Sequence, residues 1–272
     1  MDPSYIPNLV TNGYGYAWSG LGGLFQRDDL TVINLECAIS TGGDPFPKEF
    51  TFRGPPESLP PMAEAGVEVA SLGNNHAYDY GPDALMDSRR HLKAAGIAPV
   101  GAGKDQDQAL KAAMFELNGW RVAVVGIDQV VDPYPEAIAT DDKPGTAAGH
   151  DTGLMIRAIR DAEHQADIVI VTIHWGVELD TVPRAEQVEL GHRFVDAGAD
   201  IIFGHHAHRL QPIDTYKGRP IFWGLGNFVW PNFSAEGSNT AVAQVIVRKN
   251  GKFSGRLLPA FIESAGHPVL TG

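Results

Sequence analysis

The order of apolar runs in this chain predicts an α/β fold, a four-layer αββα sandwich in which two mixed β-sheets lie between helices. Three observations carry that expectation. Short β-rich runs alternate with segments of helical period through most of the sequence, and from Gln211 onward the pattern changes to strands joined by turns. Histidine or asparagine stands where three separate apolar runs end, in Ser71-Leu-Gly-Asn-Asn-His76, at His174 and in Gly204-His-His-Ala-His208. With 272 residues, 43% of them hydrophobic, the chain suffices for one domain over 1–272 with a well-buried core.

The first strand is Leu30-Thr-Val-Ile-Asn-Leu35, bounded by Arg27-Asp-Asp29 and Ser40-Thr-Gly-Gly43. A Pro- and Gly-rich segment, Gly42 to Pro61, reads as a long surface loop over the strand ends that shapes a pocket. A short helix near Pro60 to Ala65 and the strand Val67 to Ser71 follow. The helix from Pro82 places Leu85, Ser88, Leu92 and Ala95 on one face, and Gly96 stops it. Next come Ile97-Ala-Pro-Val100, a helix near Gln106 to Lys111, and strands at Met114 to Leu117 and Arg121 to Ile127. The loop from Asp128 to His150 is long enough to be a lid.

The second half repeats the alternation with helix Thr152 to His164, strand Ile168 to Ile173, helix Ala185 to Ala197 and strand Ile201 to Phe203. Leu190, Phe194 and Ala197 face inward on the second of these helices. The runs Arg219 to Trp223, Thr240 to Val247 and Phe253 to Ile262 are expected as antiparallel hairpins completing a second sheet.

Composition narrows the function. The balance of 21 basic against 33 acidic side chains, net -12, argues against binding nucleic acid or an anionic membrane face, so an anionic substrate needs a local cation. The lone Cys37 forms no intrachain disulfide and reads as a small buried filler. No apolar stretch is long enough to span a bilayer, and the first residues lack the pattern of a secretion signal. As written, the chain reads as soluble and cytoplasmic, unless an upstream signal or anchor has been removed.

His206 and His208 occupy alternate positions of an extended segment and could serve neighbouring metals, against the plainer reading of a polar turn with solvated imidazoles. His174 ends a fully apolar strand, where a divalent metal or a backbone carbonyl would be its partner. Glu178 could orient an imidazole or a substrate, or simply be an exposed loop carboxylate. In Asn74-Asn-His-Ala-Tyr-Asp79, an asparagine amide can ligate a metal and His76 can act as an acid, while capping and turn chemistry explain the same residues. Glu36, just past a strand, would suit a bridge between two cations or a structural salt bridge.

Taken together, Asn34-Leu-Glu-Cys37, Asn74 to Gly81, His174-Trp-Gly-Val-Glu178, Gly204 to Gln211 and Gly226-Asn-Phe228 resemble the bacterial capsule poly-gamma-glutamate biosynthesis family. That family is similar to the calcineurin-like metallophosphoesterases. The resemblance runs in order from about Tyr14 to the end of the second sheet. It implies a two-metal site in which Asn75, His174 and His206 hold one cation, His208 helps to hold the other, and Glu36 takes the bridging position. By the same analogy His76 is the general acid, and Arg53, His205 and Asp79 line the substrate side, with Asn74 and Glu178 as further candidates there. Manganese, iron and zinc all tolerate such ligands, one or two ions per chain.

One departure matters. The family opens with a strand ending in Gly-Asp, whose aspartate serves the His208 metal, and this sequence starts after that motif. Absence of that strand exposes pairing edges and makes an edge-to-edge homodimer an expectation. Three functions follow from the resemblance. The first is phosphoester hydrolysis by a metal-bound hydroxide, acting on a small or polymeric anionic substrate. The others are an accessory or binding protein of capsule polyglutamate synthesis, and a degenerate metal-binding domain.

Overall fold

The computed structural model describes residues 2–130 and 134–272; Val131, Asp132 and Pro133, within the expected lid, lie outside the described residues. Two short helices open it, α1 (Asn8–Asn12) and α2 (Tyr16–Ser19), followed by β1 (Val32–Asn34), β2 (Ala38–Ile39) and β3 (Arg53–Gly54). The Gly42 to Pro61 segment is therefore not loop throughout. Strand β3 pairs in parallel with β2, and α3 (Leu59–Glu64) begins inside the segment.

The alternation then proceeds as expected, through β4 (Val69–Ser71), α4 (Gly81–Ala94), β5 (Ala98–Val100), β6 (Ala102–Gly103), α5 (Gln106–Leu110), β7 (Ala113–Leu117) and β8 (Trp120–Asp128). Helix α4 buries Leu85, Ser88 and Leu92, the face its period marks out. In the expected lid, β9 (Gly145–Thr146) pairs with β6, so part of that loop is tied into a small sheet. Helix α6 (Thr152–Glu163) starts where the Asp151 carboxylate accepts from Leu154 N–H, and β10 (Ile168–His174), α7 (Ala185–Asp196) and β11 (Ile201–His205) follow. The chain closes with β12 (Ile213–Tyr216), β13 (Arg219–Phe222), α8 (Ala235–Ser238), β14 (Asn239–Val247), β15 (Phe253–Ser264) and β16 (His267–Leu270).

One mixed sheet has the order β12-β13-β11-β10-β8-β7. Its β13 corrects the expectation that Arg219 to Trp223 belongs to the second sheet: β13 runs parallel to β11. An apolar run identifies a strand but not its neighbour, and here the return through β12 carries it back to the first sheet. The second layer consists of two three-stranded sheets, parallel β1-β4-β5 and antiparallel β14-β15-β16.

Side-chain alternation fixes the layering. On β10, Val169, Val171 and Ile173 pack with Met155 and Ile159 of α6 and Phe194 of α7, while Ile168 and Ile170 pack against Val69, Val100 and Val32 of the second layer. Val245 and Val247 of β14 join that same intersheet core. Val242 turns the other way, into the cluster beneath Leu85 and Leu92 of α4. The two three-stranded sheets are thus halves of one layer, and helix, sheet, sheet and helix succeed one another as an αββα sandwich.

The layers meet most closely at backbone. A Cβ on Gly73 would lie 2.9 Å from the Ile127 backbone, and one on Gly101 2.5 Å from Gly73 N, so these loops approach as only glycine permits. Between the halves of the second layer the spacing is the reverse. A cavity of about 220 Å³ is lined on one side by consecutive residues Leu30 to Glu36 and on the other by Ala241 to Ala243. Both parities of side chain line it, so its walls are the hydrogen-bonding edges of β1 and β14. Among the described residues each of those strands is laddered to one neighbour only, β4 and β15 respectively.

Candidate metal centre

Parity carries the site residues into the space between the layers. Val32 faces the intersheet core, so Asn34 and Glu36 point the same way; Ile168 and Ile170 do likewise, so His174 follows them. The register pairs His174 with Asp128 on one side and His205 on the other, three polar groups in a row across adjacent strand ends.

Glu36, His174 and His206 each present a ligand atom, all within 4.8 Å of one another. His174 Nε2 lies 3.4 Å from Glu36 Oε1 and 3.2 Å from His206 Nδ1. His208 Nε2 is 3.8 Å from the same Glu36 oxygen. Its other nitrogen is 2.7 Å from Asn227 Oδ1, and Asn227 is itself fixed by donating to Gly237 O at 3.0 Å. That is how an outer carboxamide aims an imidazole at a shared point.

The backbone is bent to serve this convergence. His206 and His208 sit at φ 93° and φ 53°, the left-handed region that residues with a Cβ seldom adopt. Bonds from Leu179 N–H to Ala207 O at 2.8 Å and from Arg209 Nη1 to His208 O at 2.8 Å hold the turn. Gly204 admits it, since a Cβ there would lie 2.1 Å from Trp223 O.

The donor set fits a divalent cation. Glu36 Oε1 and Asn75 Oδ1 are buried with no hydrogen-bond partner, an arrangement that is costly unless something positive meets them. Burial pushes the Glu36 carboxyl up, but the His174 and His208 imidazoles outweigh it and hold the group well below the usual carboxylate range. Burial pushes His174 down, and His205 and His206 down to about 3. An ionised Glu36 with His174 and His206 held towards the neutral form is the combination that metal binding requires.

His76 and Asp79 form a pair at the edge of the cluster, with His76 Nδ1 2.7 Å from Asp79 Oδ2. The Asp79 carboxylate is buried and also accepts from Phe52 N–H at 2.6 Å. Asn74 spends its amide on the fold: Nδ2 donates to Asn34 Oδ1 and Leu35 O, both at 3.0 Å, and Oδ1 accepts from His76 N–H. His205 lines the cavity beside Glu36. Arg53 stacks its guanidinium over Tyr80 at 4.3 Å, and Glu178 is exposed on the loop after β10. Neither forms an ion pair with the cluster among the described residues.

Four further residues adjoin the site that the sequence motifs do not include. Lys48 ion-pairs with Asp79, Phe52 packs on His76 with ring centroids 4.3 Å apart, and Trp230 packs on His208 at 4.9 Å. Asp128 ends β8 as His174 ends β10, a signal that was available. Burial raises its carboxyl to about 7, against the opposing bond from the Thr146 hydroxyl at 2.8 Å.

An αββα sandwich with histidine, asparagine and glutamate gathered at its strand ends defines a metallophosphoesterase-like protein. The family model described as "Bacterial capsule synthesis protein PGA_cap" matches residues 2–232, and the chain belongs to that family. It is 36% identical to "Capsule biosynthesis protein CapA" of Bacillus anthracis over 96% of this chain and 66% of that relative. It is 34% identical to "PGA biosynthesis protein CapA" of Bacillus subtilis (strain 168), over 89% of this chain and 64% of the relative. Identity is 33% to the "Probable polyglutamine synthesis accessory protein" of Mycobacterium tuberculosis, over 74% of this chain and 55% of that protein. The chain thus spans about two thirds or less of the length of these relatives. Among the described residues, no helix is long and apolar enough to cross a membrane.

Proposed function

We propose that this protein is an accessory of capsule or polyglutamate synthesis that acts on an anionic substrate through a divalent-metal site. The names of its relatives support the process. The observation that carries the site is the meeting of Glu36, His174 and His206, whose ligand atoms all lie within 4.8 Å of one another; Asn75 Oδ1, buried with no hydrogen-bond partner, adds a further candidate donor. Glu36, Asn75, His174 and His206 would hold the cation, with His208 beside them, and the mixed oxygen and nitrogen donors suit manganese, iron or zinc.

A second reading, phosphoester hydrolysis, is favoured by the His76–Asp79 pair at the edge of the cluster. A bound cation would supply Lewis-acid stabilisation of charge on phosphoryl oxygens. With Nδ1–H committed to Asp79, His76 has Nε2 left to move a proton to or from a departing oxygen. Phe52 and Trp230, in edge contact at 5.4 Å, pack on the His76 and His208 rings respectively.

The test uses chelator-stripped protein. Manganese or zinc binding is followed by calorimetry, poly-gamma-glutamate binding is measured with and without metal, and hydrolysis of an activated aryl phosphodiester is assayed beside His206→Ala. Metal-dependent turnover that the variant lacks supports hydrolysis. Metal-dependent polymer binding without turnover supports the accessory role alone, and failure to bind any divalent metal overturns both.

A further inference from the structure

Lys48 lies in the Pro- and Gly-rich segment between β2 and β3, yet its ammonium reaches the floor of the site. It ion-pairs with Asp79 Oδ1, donates to the carbonyl of Asn75 at 2.8 Å, and lies 3.3 Å from His76 Nδ1. Its side chain is 14% exposed and that of Asp79 0%. In a chain of net charge -12, Lys48 is, among the described residues, the one lysine or arginine ion-paired with a residue of the site.

The segment is built to deliver it. Phe46 N–H donates to Asp79 O at 2.8 Å, and Tyr134 Oη donates to Pro47 O at 2.6 Å. The Phe46 ring sits edge-on between Tyr78 and Tyr134, with centroids 5.4 and 5.6 Å away. Beyond Lys48, Phe52 N–H returns to the Asp79 carboxylate. Asp79 is therefore the hub that the segment closes upon from both sides.

We propose that Lys48 is a positioning residue that locks His76 and the backbone of Asn75 together, fixing the proton-carrying imidazole relative to the metal ligand. The inference rests on the phosphoester reading of His76 for its catalytic consequence, though not for its geometry. An ammonium has three donors and no lone pair, so it cannot accept from Nδ1. The 2.7 Å contact of Nδ1 with the carboxylate requires the imidazole proton to lie between them, because a lone pair there would face an anionic oxygen. Lys48 makes that assignment durable. It satisfies the other carboxylate oxygen, which would otherwise be a buried charge free to turn away from the ring. The same ammonium holds the Asn75 carbonyl, so the His76 ring and the Asn75 amide are referenced to a single atom.

The test reads His76 directly. Protein labelled with ¹⁵N-histidine and loaded with zinc is compared as wild type, Lys48→Arg, Lys48→Met and Lys48→Gln, with circular dichroism confirming the fold of each. Wild type and Lys48→Arg are expected to show His76 as one fixed Nδ1–H tautomer, whereas Lys48→Met shows averaged nitrogen shifts. Should Lys48→Met fail to fold, Lys48→Gln, which keeps a donor without charge, is read in its place. Turnover of a phosphodiester with a poor leaving group should fall roughly 10–100-fold in kcat, part of the general-acid contribution, with KM little changed and Lys48→Arg restoring most of it. A fixed tautomer in the uncharged variants overturns the proposal. If the wild type hydrolyses no phosphoester, the functional reading fails while the nitrogen shifts still decide the role of Lys48.

Discussion

His206 Nδ1 faces His174 Nε2 at 3.2 Å, although one belongs to a strained turn and the other is the last residue of a central strand. Two neutral imidazole nitrogens gain little from each other at that distance unless a proton or a cation lies between or beside them. Glu36 Oε1, 3.4 Å from the same His174 nitrogen, supplies the negative charge that favours a cation.

The outer shell should be measurable. Asn227→Ala removes the amide that aims His208 Nε2 at Glu36 and should weaken metal binding roughly 10–100-fold, the usual cost of losing such a partner. Calorimetric titration with manganese or zinc checks this. An unchanged affinity would mean that His208 takes no part in holding the ion.

Acid should destabilise the metal-free protein, and the sign follows from the shifts. His205 and His206, held down to about 3, bind a proton in the unfolded chain below its ordinary histidine value of about 6.5 but not in the folded one. Their contribution is fully present above that value and is lost as pH falls from there towards 3. Asp128, raised to about 7, works in the opposite sense, since its folded form keeps a proton that the unfolded chain releases above about 3.9. Within the site, His174 and Glu36 are lowered as well and act with His205 and His206 against Asp128, so the site's net contribution should make Tm drop between pH 6.5 and 4. His206→Asn should flatten that slope, and thermal scans of stripped protein across the range would reveal it.

Removing the His76 ring separates metal binding from chemistry. His76→Ala should keep its bound ion, because the ring is committed to Asp79 through Nδ1, and should lose rate by roughly 10²–10⁴-fold. The loss should be smallest for substrates with good leaving groups, which need no proton. An equal loss across leaving groups would point to a binding role for His76.

How far the sequence foretold this site depends on the kind of residue. His174 was legible because a continuous apolar run delivers it and strand parity turns it inward; the position of Gly204 to His208 after a strand was legible too, but its expected extended form was not, since β11 ends at His205 and His206 and His208 stand in a turn at positive φ. Glu36 was legible on the same terms as His174. Lys48, Phe52 and Trp230 were not, since they stand in segments without period and their neighbours in space come from distant turns. The two-residue strands β2, β3, β6 and β9 are too short to show an alternation. Arg219 to Phe222 read correctly as a strand, but the choice of sheet was made by the hairpin with β12, which no local pattern announces.

The divided second layer makes the last prediction. β1 and β14 turn their free edges toward one cavity, while Val32 and Val245 pack into the same intersheet core, so the halves are held together by side chains and not by a ladder. Amides on the cavity side of Val32 to Asn34 and Ala241 to Ala243 should therefore exchange with solvent deuterium far faster than those of β8 and β10, which are laddered on both sides. Hydrogen-exchange mass spectrometry over a range of protein concentrations tests this. Fast exchange throughout would establish an open gap in the layer. Protection that grows with concentration, matched by a doubled mass in light scattering, would mean that two copies cover each other's edges. Protection equal to that of β10 at every concentration would mean that the gap is closed in solution, and the divided layer would have to be abandoned.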